Sequence, residues 1–177
     1  MEPDAAPGHD TSLRGWPWIQ KTHSWTEPTA LGVLALEAAG RGGHARAHEA
    51  TELLLDRMLP VGGWNYGNTT VFGSPLRPLP ESAGVALQAL AGRVARERVA
   101  ASLAYLASEI ERIRTPFTLG WGVLGLAAWG AQPLDADRWL AETLERETVF
   151  GRFDTSALAL LALAARARSG LLEVIDG

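Results

Sequence analysis

Three acidic residues, Glu27, Glu81 and Asp154, stand at or beside the starts of segments rich in alanine and leucine: "TEPTALGVLAL" from Thr26, "LPESAGVALQAL" from Leu79 and "FDTSALALLALAA" from Phe153. Carboxyls that converge on one rim, with burial or a neighbouring charge keeping one of them protonated, can act as a general acid or as a polar anchor. The plainer reading is that acids favour the first turn of a helix, where they accept from free amides and meet the positive end of the dipole. Four further residues suit an apolar or cationic ligand: His23 and Trp25 in "GWPWIQKTHSW", Tyr66 in "VGGWNYGN", and Trp121 in "FTLGWGVLGLAAW". Packing accounts for Trp16, Trp18 and Trp25 as well. His44 and His48 have the four-residue spacing that puts two imidazoles on one helix face, but no HExxH pattern or third ligand accompanies them, so no metal site is expected. No P-loop, GxGxxG or GxSxG is present, and no cofactor is implied.

The chain that must position these groups has 177 residues, enough for one domain with a real core. With 47% hydrophobic and 20% charged residues it reads as globular, and a net charge of −4 gives no electrostatic motive for nucleic acid or an anionic membrane surface. The absence of cysteine removes disulfides, thiolate zinc sites and cysteine nucleophiles. No apolar run reaches the roughly 20 residues of a membrane span. Residues 1–14, with prolines and acids but no apolar stretch, are expected to form a flexible arm, residues 171–177 a tail, and residues 15–170 the domain. The expected location is cytoplasmic.

Repetition organises that domain. With Gly32-Val33-Leu34 laid on Val85-Ala86-Leu87, then on Gly122-Val123-Leu124 and Ala159-Leu160-Leu161, the steps are 53, 37 and 37 residues, a period characteristic of repeat architectures. Each copy is apolar nearly all round, as a helix covered on every side must be. Between the copies, "RAHEATELLLDRM", "VARERVAASLAYLASEIERIR" and "DADRWLAETLERE" carry charged faces opposite apolar ones, as half-buried outer helices should. Thr26, Thr115, Asp135 and Asp154 are candidate caps, and Gly40, Gly92 and Gly130 candidate stops. The pattern predicts an all-α fold of about seven helices, with hairpins whose inner members run parallel and no sheet.

Leu54, Met58, Gly62 and Trp64 reproduce the spacing of the glutamine–tryptophan repeat of squalene and hopene cyclases, with Met58 in the glutamine place. "ERETVFGRFDTSALALLAL" is a more degenerate copy, with Glu147, Gly151 and Phe153 in the Gln, Gly and Trp places. Over about residues 15 to 169 the chain resembles the prenyltransferase and squalene oxidase repeat superfamily. The resemblance implies an α/α toroid-type array of helical hairpins, with inner helices lining a central cavity and an aromatic in each turn wedging one hairpin against the next. A closed toroid takes about six helix pairs and this chain supplies about three and a half, so the array is incomplete and an apolar edge needs covering.

The likeness does not extend to the chemistry. The Asp-x-Asp-Asp acid of the cyclases has its nearest counterpart in "LDADRW", which has Arg138 in the motif's last Asp place, and there is no DDxxD run and no Asp, Cys and His zinc set. The leading expectation is therefore a repeat domain whose apolar cavity binds an isoprenoid-like ligand without a complete catalytic motif. The alternatives are a cyclase- or transferase-like enzyme using Glu27, Glu81 or Asp154 as acid, and a protein-interaction scaffold. Three resolutions of the open edge follow: the chain is a shortened member or a fragment of a longer array, it closes by self-association with a second copy, or a partner chain supplies the rest.

Overall fold

The computed structural model describes residues 8–176. In chain order its helices are α1 (Thr26–Ala38), α2 (Ala45–Asp56), α3 (Pro80–Leu90), α4 (Ala100–Ile110), α5 (Pro116–Ala127), α6 (Ala136–Glu145), α7 (Glu147–Phe150), α8 (Thr155–Arg166) and α9 (Leu171–Asp176). Seven of these have ten residues or more, and the fold is all-α. The strands among the described residues are a two-residue ribbon, β1 (Thr70–Val71) antiparallel to β2 (Ser74–Pro75), in the loop before α3. The 94–114 stretch is not one helix from its start, because a 3₁₀ turn at Arg96–Val99 leads into α4.

Four helices lie side by side in the order α1, α3, α5, α8, and α2, α4 and α6 pack behind them. Residues at matching positions in the repeats meet across this row. The Thr118 hydroxyl donates to Glu81 at 3.3 Å, 37 residues away, at the helix starts. A Cβ on Gly84 would run into the backbone of Trp121, again 37 residues on. Near the helix ends, Gln88 Nε2–H donates to the Leu124 carbonyl, and Trp129 Nε1–H to that of Leu87 at 2.9 Å. The 37-residue period is thus the register of two parallel helices. α1 joins the same sense, since Glu27 and Glu81 share a cleft at the starts and Arg93 pairs with Glu37 at 2.7 Å beyond the ends.

Glycines set the closeness of the α3–α5 seam. Gly84 and Gly125 stand opposite each other, so that a Cβ on Gly125 would lie 2.6 Å from the Gly84 carbonyl oxygen. With no side chain between them the backbones touch, and every residue of α3 from Ser82 to Leu90 is buried. Gly40, Gly92 and Gly130, with φ of +66°, +72° and +61°, end α1, α3 and α5 in the left-handed conformation as expected. Of the four candidate caps, Asp154 accepts a backbone amide, from Ala157 at 2.7 Å. Thr115 and Asp135 precede their helices without a side-chain cap, and Thr26 lies inside α1 with its hydroxyl donated to the Asn65 carbonyl at 2.8 Å.

The two ends of the row are finished differently. At α1 and α2 the N-terminal segment covers the edge: the Trp16 ring lies where a Cβ on Gly32 would collide, and Arg46 stacks over Trp16 at 4.9 Å while donating to the carbonyls of Arg14 and Gly15. Asp10 N–H reaches the Asp56 carboxylate at 3.0 Å and Arg57 donates to the Asp10 carbonyl at 3.1 Å. Residues 8–14 of the expected flexible arm are therefore docked, because α2 offers them charged partners; residues 1–7 lie outside the described residues. The expected tail 171–177 is also corrected, since α9 touches both α8 and α1 and Leu171 N–H donates to Gln88 at 2.9 Å. Leu171, Leu172 and Val174 supply the apolar contacts that fold it back across the row.

Beyond α6 and α8 the described residues place no covering segment. Leu158 is 38% exposed and Leu144 44%, with Ala141, Ala159, Ala162 and Ala165 exposed beside them. The expectation that every inner helix is covered on all sides holds for α3 and fails for α8.

Candidate functional site

The turn Val61–Asn68 is fixed by its backbone. Gly62 has φ +90°, and a Cβ there would meet the Ala101 carbonyl oxygen at 2.5 Å, so only glycine lets this turn seat against α4. Gly63 N–H donates to Ser102 at 2.8 Å, and Leu79 N–H donates to the Trp64 carbonyl at 2.8 Å. Trp64 is fully buried, with its indole N–H on the Leu54 carbonyl. The next two residues tie the turn to α1: Thr26 N–H donates to the Tyr66 carbonyl at 2.7 Å, and the Thr26 hydroxyl donates to the Asn65 carbonyl at 2.8 Å. One turn thereby locates the starts of α1 and α3 together.

Between those starts lies a cleft of about 140 Å³ lined by Glu27, Tyr66, Leu79, Pro80, Glu81, Ser82 and Thr118. It unites two of the three expected carboxyls with one of the expected aromatics. Burial, and then the charge of Glu81, push the Glu27 carboxyl above its ordinary range. Trp25 meets Tyr66 edge-on at 6.3 Å and His23 at 4.5 Å, so an aromatic chain runs up to the cleft mouth.

The remaining sequence candidates lie elsewhere. Asp154 caps α8 and is exposed, separated from Glu27 by the width of the row. His23 lines a different, polar cleft of about 380 Å³ with His9, Arg14, Arg46, Arg57 and Asn68. Trp121, on α5, packs against the core and does not line the Glu27 cleft. His44 and His48 do not share a helix face, because His44 precedes α2 and caps it by accepting Arg46 N–H on Nδ1 at 3.1 Å.

A raised carboxyl pKa has a defined consequence for stability. The folded state holds its Glu27 proton at a higher pH than the unfolded chain, so the folded state binds more protons across that window and stability falls as pH rises through it. Glu27→Gln is expected to melt higher than the parent at pH 7 and level with it at about pH 3, where both forms are neutral. A difference in melting temperature that does not change with pH would remove the assignment.

None of the principal clefts is lined by all four helices of the row. α3 contacts α5 directly, and α9 touches both α1 and α8. Two apolar clefts occur at the far end of the row. One, of about 260 Å³, is walled by Pro116, Phe150 and Phe153 with Arg114 and Arg146 beside them. The other, of about 350 Å³, is the exposed groove of α6 and α8, with Leu140, Ala141, Leu144, Leu158, Leu161, Ala162 and Ala165 in its walls.

The chain matches no family model, no curated protein and no solved structure. Its own repeats remain the comparison that geometry supplies. In the degenerate copy of the turn motif, Glu147 accepts the Phe153 N–H at 2.7 Å, joining the residues in the Gln and Trp places. In the first copy Met58 is partly buried and the Trp64 indole makes the polar contact instead. The sequence reading missed the α6–α8 groove, because an alanine- and leucine-rich helix looks the same whether its last face is covered or bare. No candidate metal site of three or more His, Cys, Asp or Glu occurs among the described residues, and no described helix is long and apolar enough to cross a membrane.

Proposed function

We propose that this chain is a short or partial toroid-type array of helical hairpins, akin to the squalene cyclase and prenyltransferase repeats, that works by docking another molecule on its α6–α8 edge. One observation carries the reading: the array is capped at α1 by its own N-terminal segment and presents an exposed apolar stripe at α8. Terminal repeats of such arrays need a polar outer face to stay soluble, so a bare apolar one is an unfilled contact. The catalytic alternative loses support from size. A cleft of about 140 Å³ at Glu27 and Glu81 is well below the roughly 300–1,000 Å³ of ligand pockets, and Asp154 lies outside it.

A photoreactive benzoylphenylalanine at Ala162, in the groove, tests the docking reading against the same group at Ala104, exposed on the outer helix α4. In cell extract, adducts at position 162 are expected to exceed those at 104 several-fold. Equal labelling at both positions would defeat the reading.

A second reading rests on the cleft at Phe150 and Phe153. Its apolar wall next to Arg114 and Arg146 suits a short hydrophobic ligand with an anionic end, the small-molecule alternative for this fold. Arg114 is already paired with Glu142 at 2.7 Å, which leaves Arg146 to meet the anion.

A further inference from the structure

The edge reading leaves the occupant open, and the pattern of α8 restricts it. Its exposed residues are Thr155, Ser156, Leu158, Ala159, Ala162, Ala165 and Arg166, most of them on one stripe at helical spacing. This stripe is complementary to its own reverse. In an antiparallel pairing of two α8 helices about a two-fold axis level with Leu160, each Leu158 faces Ala162 of the other copy, a large residue against a small one. Each Thr155 faces Ala165. At both ends the exposed Asp154 faces Arg166, and Arg166 makes no ion pair among the described residues. The helix dipoles oppose each other in that arrangement, and the two charge pairs meet the dipole ends with the favourable sign.

The other end of the array decides between a ring, a fibre and a pair. A head-to-tail contact needs the α1 edge of a second copy, and that edge is covered by Trp16 and the segment around it. Self-association through α8 is then isologous and stops at two copies. We infer that the occupant of the α6–α8 edge is a second copy of this chain, docked α8 to α8 in antiparallel fashion, with the Asp154–Arg166 pairs fixing direction. The inference rests on the docking reading above and adds the partner and its orientation. α8 is about 18 Å long and two helices abreast are about 20 Å wide, so the face is smaller than the roughly 800 Å² per partner of standard interfaces. The association is accordingly weak. The charge pairs, being exposed, set direction more than affinity.

Sedimentation velocity of the purified chain from low to several hundred micromolar is expected to show a reversible monomer–dimer equilibrium with no larger species. Ala162→Glu, at an exposed site, should leave the helical circular dichroism intact and abolish the dimer. Arg166→Asp should weaken it several-fold at low salt and less at high salt, because it sets Asp154 of one copy against an acid of the other. The chain has no cysteine, so engineered thiols report orientation cleanly. Under air oxidation a mixture of Leu158→Cys and Ala162→Cys chains should cross-link faster than either alone, since only unlike positions fall level and within disulfide reach. A monomer at every concentration, or faster cross-linking of like positions, overturns the inference. If position 162 is nevertheless labelled by other proteins in extract, the two-fold pairing falls and the edge reading stands; if it is not labelled either, both fall.

Discussion

A Gly84→Ala chain is expected to melt about 5–12 °C below the parent, although alanine is the better helix former by about 0.5–1 kcal/mol in the middle of a helix. The sign is decided by what the new methyl group meets. It would lie 2.5 Å from the Trp121 carbonyl carbon and 2.9 Å from Gly122 N, both backbone atoms that cannot swing aside like a side-chain tip. α3 and α5 must then separate, which loosens the most extensive helix contact in the molecule. Overpacking of this kind costs about 1–3 kcal/mol and more where backbone must move. Gly43→Ala is the control, since nothing lies within 4 Å of its would-be Cβ, and it should change the melting temperature little. If both variants melt like the parent in a circular dichroism scan, the close seam is wrong, and with it the in-register reading of the 37-residue period.

Trp64→Ala should be as damaging by the opposite route. The ring is fully buried, and its removal leaves a cavity together with a Leu54 carbonyl deprived of its indole donor. Large-to-small changes of this class cost about 3–5 kcal/mol. A buried acceptor left without a partner adds about 1–3 kcal/mol. Against a typical domain stability of about 5–15 kcal/mol, the variant is at or near unfolding at 37 °C. Trp64→Phe separates the two contributions, because it keeps most of the volume and loses the hydrogen bond. Chemical denaturation of the three chains should rank them parent, Phe, Ala, and a Phe variant no more stable than Ala would assign the effect to the hydrogen bond alone.

The sequence was most informative where chemistry and periodicity agreed. Gly40, Gly92 and Gly130 mark helix ends because a residue with no Cβ is cheapest in the left-handed conformation they adopt. The steps of 37 residues pointed to parallel neighbours, and Glu81 with Thr118 meets that expectation atom by atom. Convergence of the acids was half legible. Glu27 and Glu81 come together because the Trp64 turn fixes α1 and α3 at one level, whereas Asp154 occupies the repeat position equivalent to Glu27 at the opposite end of the row. Proximity along a row decays with each helix, and a repeat alignment carries no measure of that distance. Least legible were the segments whose burial depends on partners remote in the chain. The docking of residues 8–14 and the return of α9 rest on contacts with Asp56 and Gln88, and nothing in either segment's own composition announces them.

The first repeat step is 53 residues and the later ones 37, yet α1 and α3 still begin level with each other. The additional sixteen residues are absorbed in the connection that carries the β1–β2 ribbon, whose Phe72 projects almost wholly into solvent. That connection is accordingly the natural insertion point for an epitope tag or a fluorescent module, whereas adding or deleting a single residue inside α3 or α5 would rotate one helix against the other and scramble the shared seam.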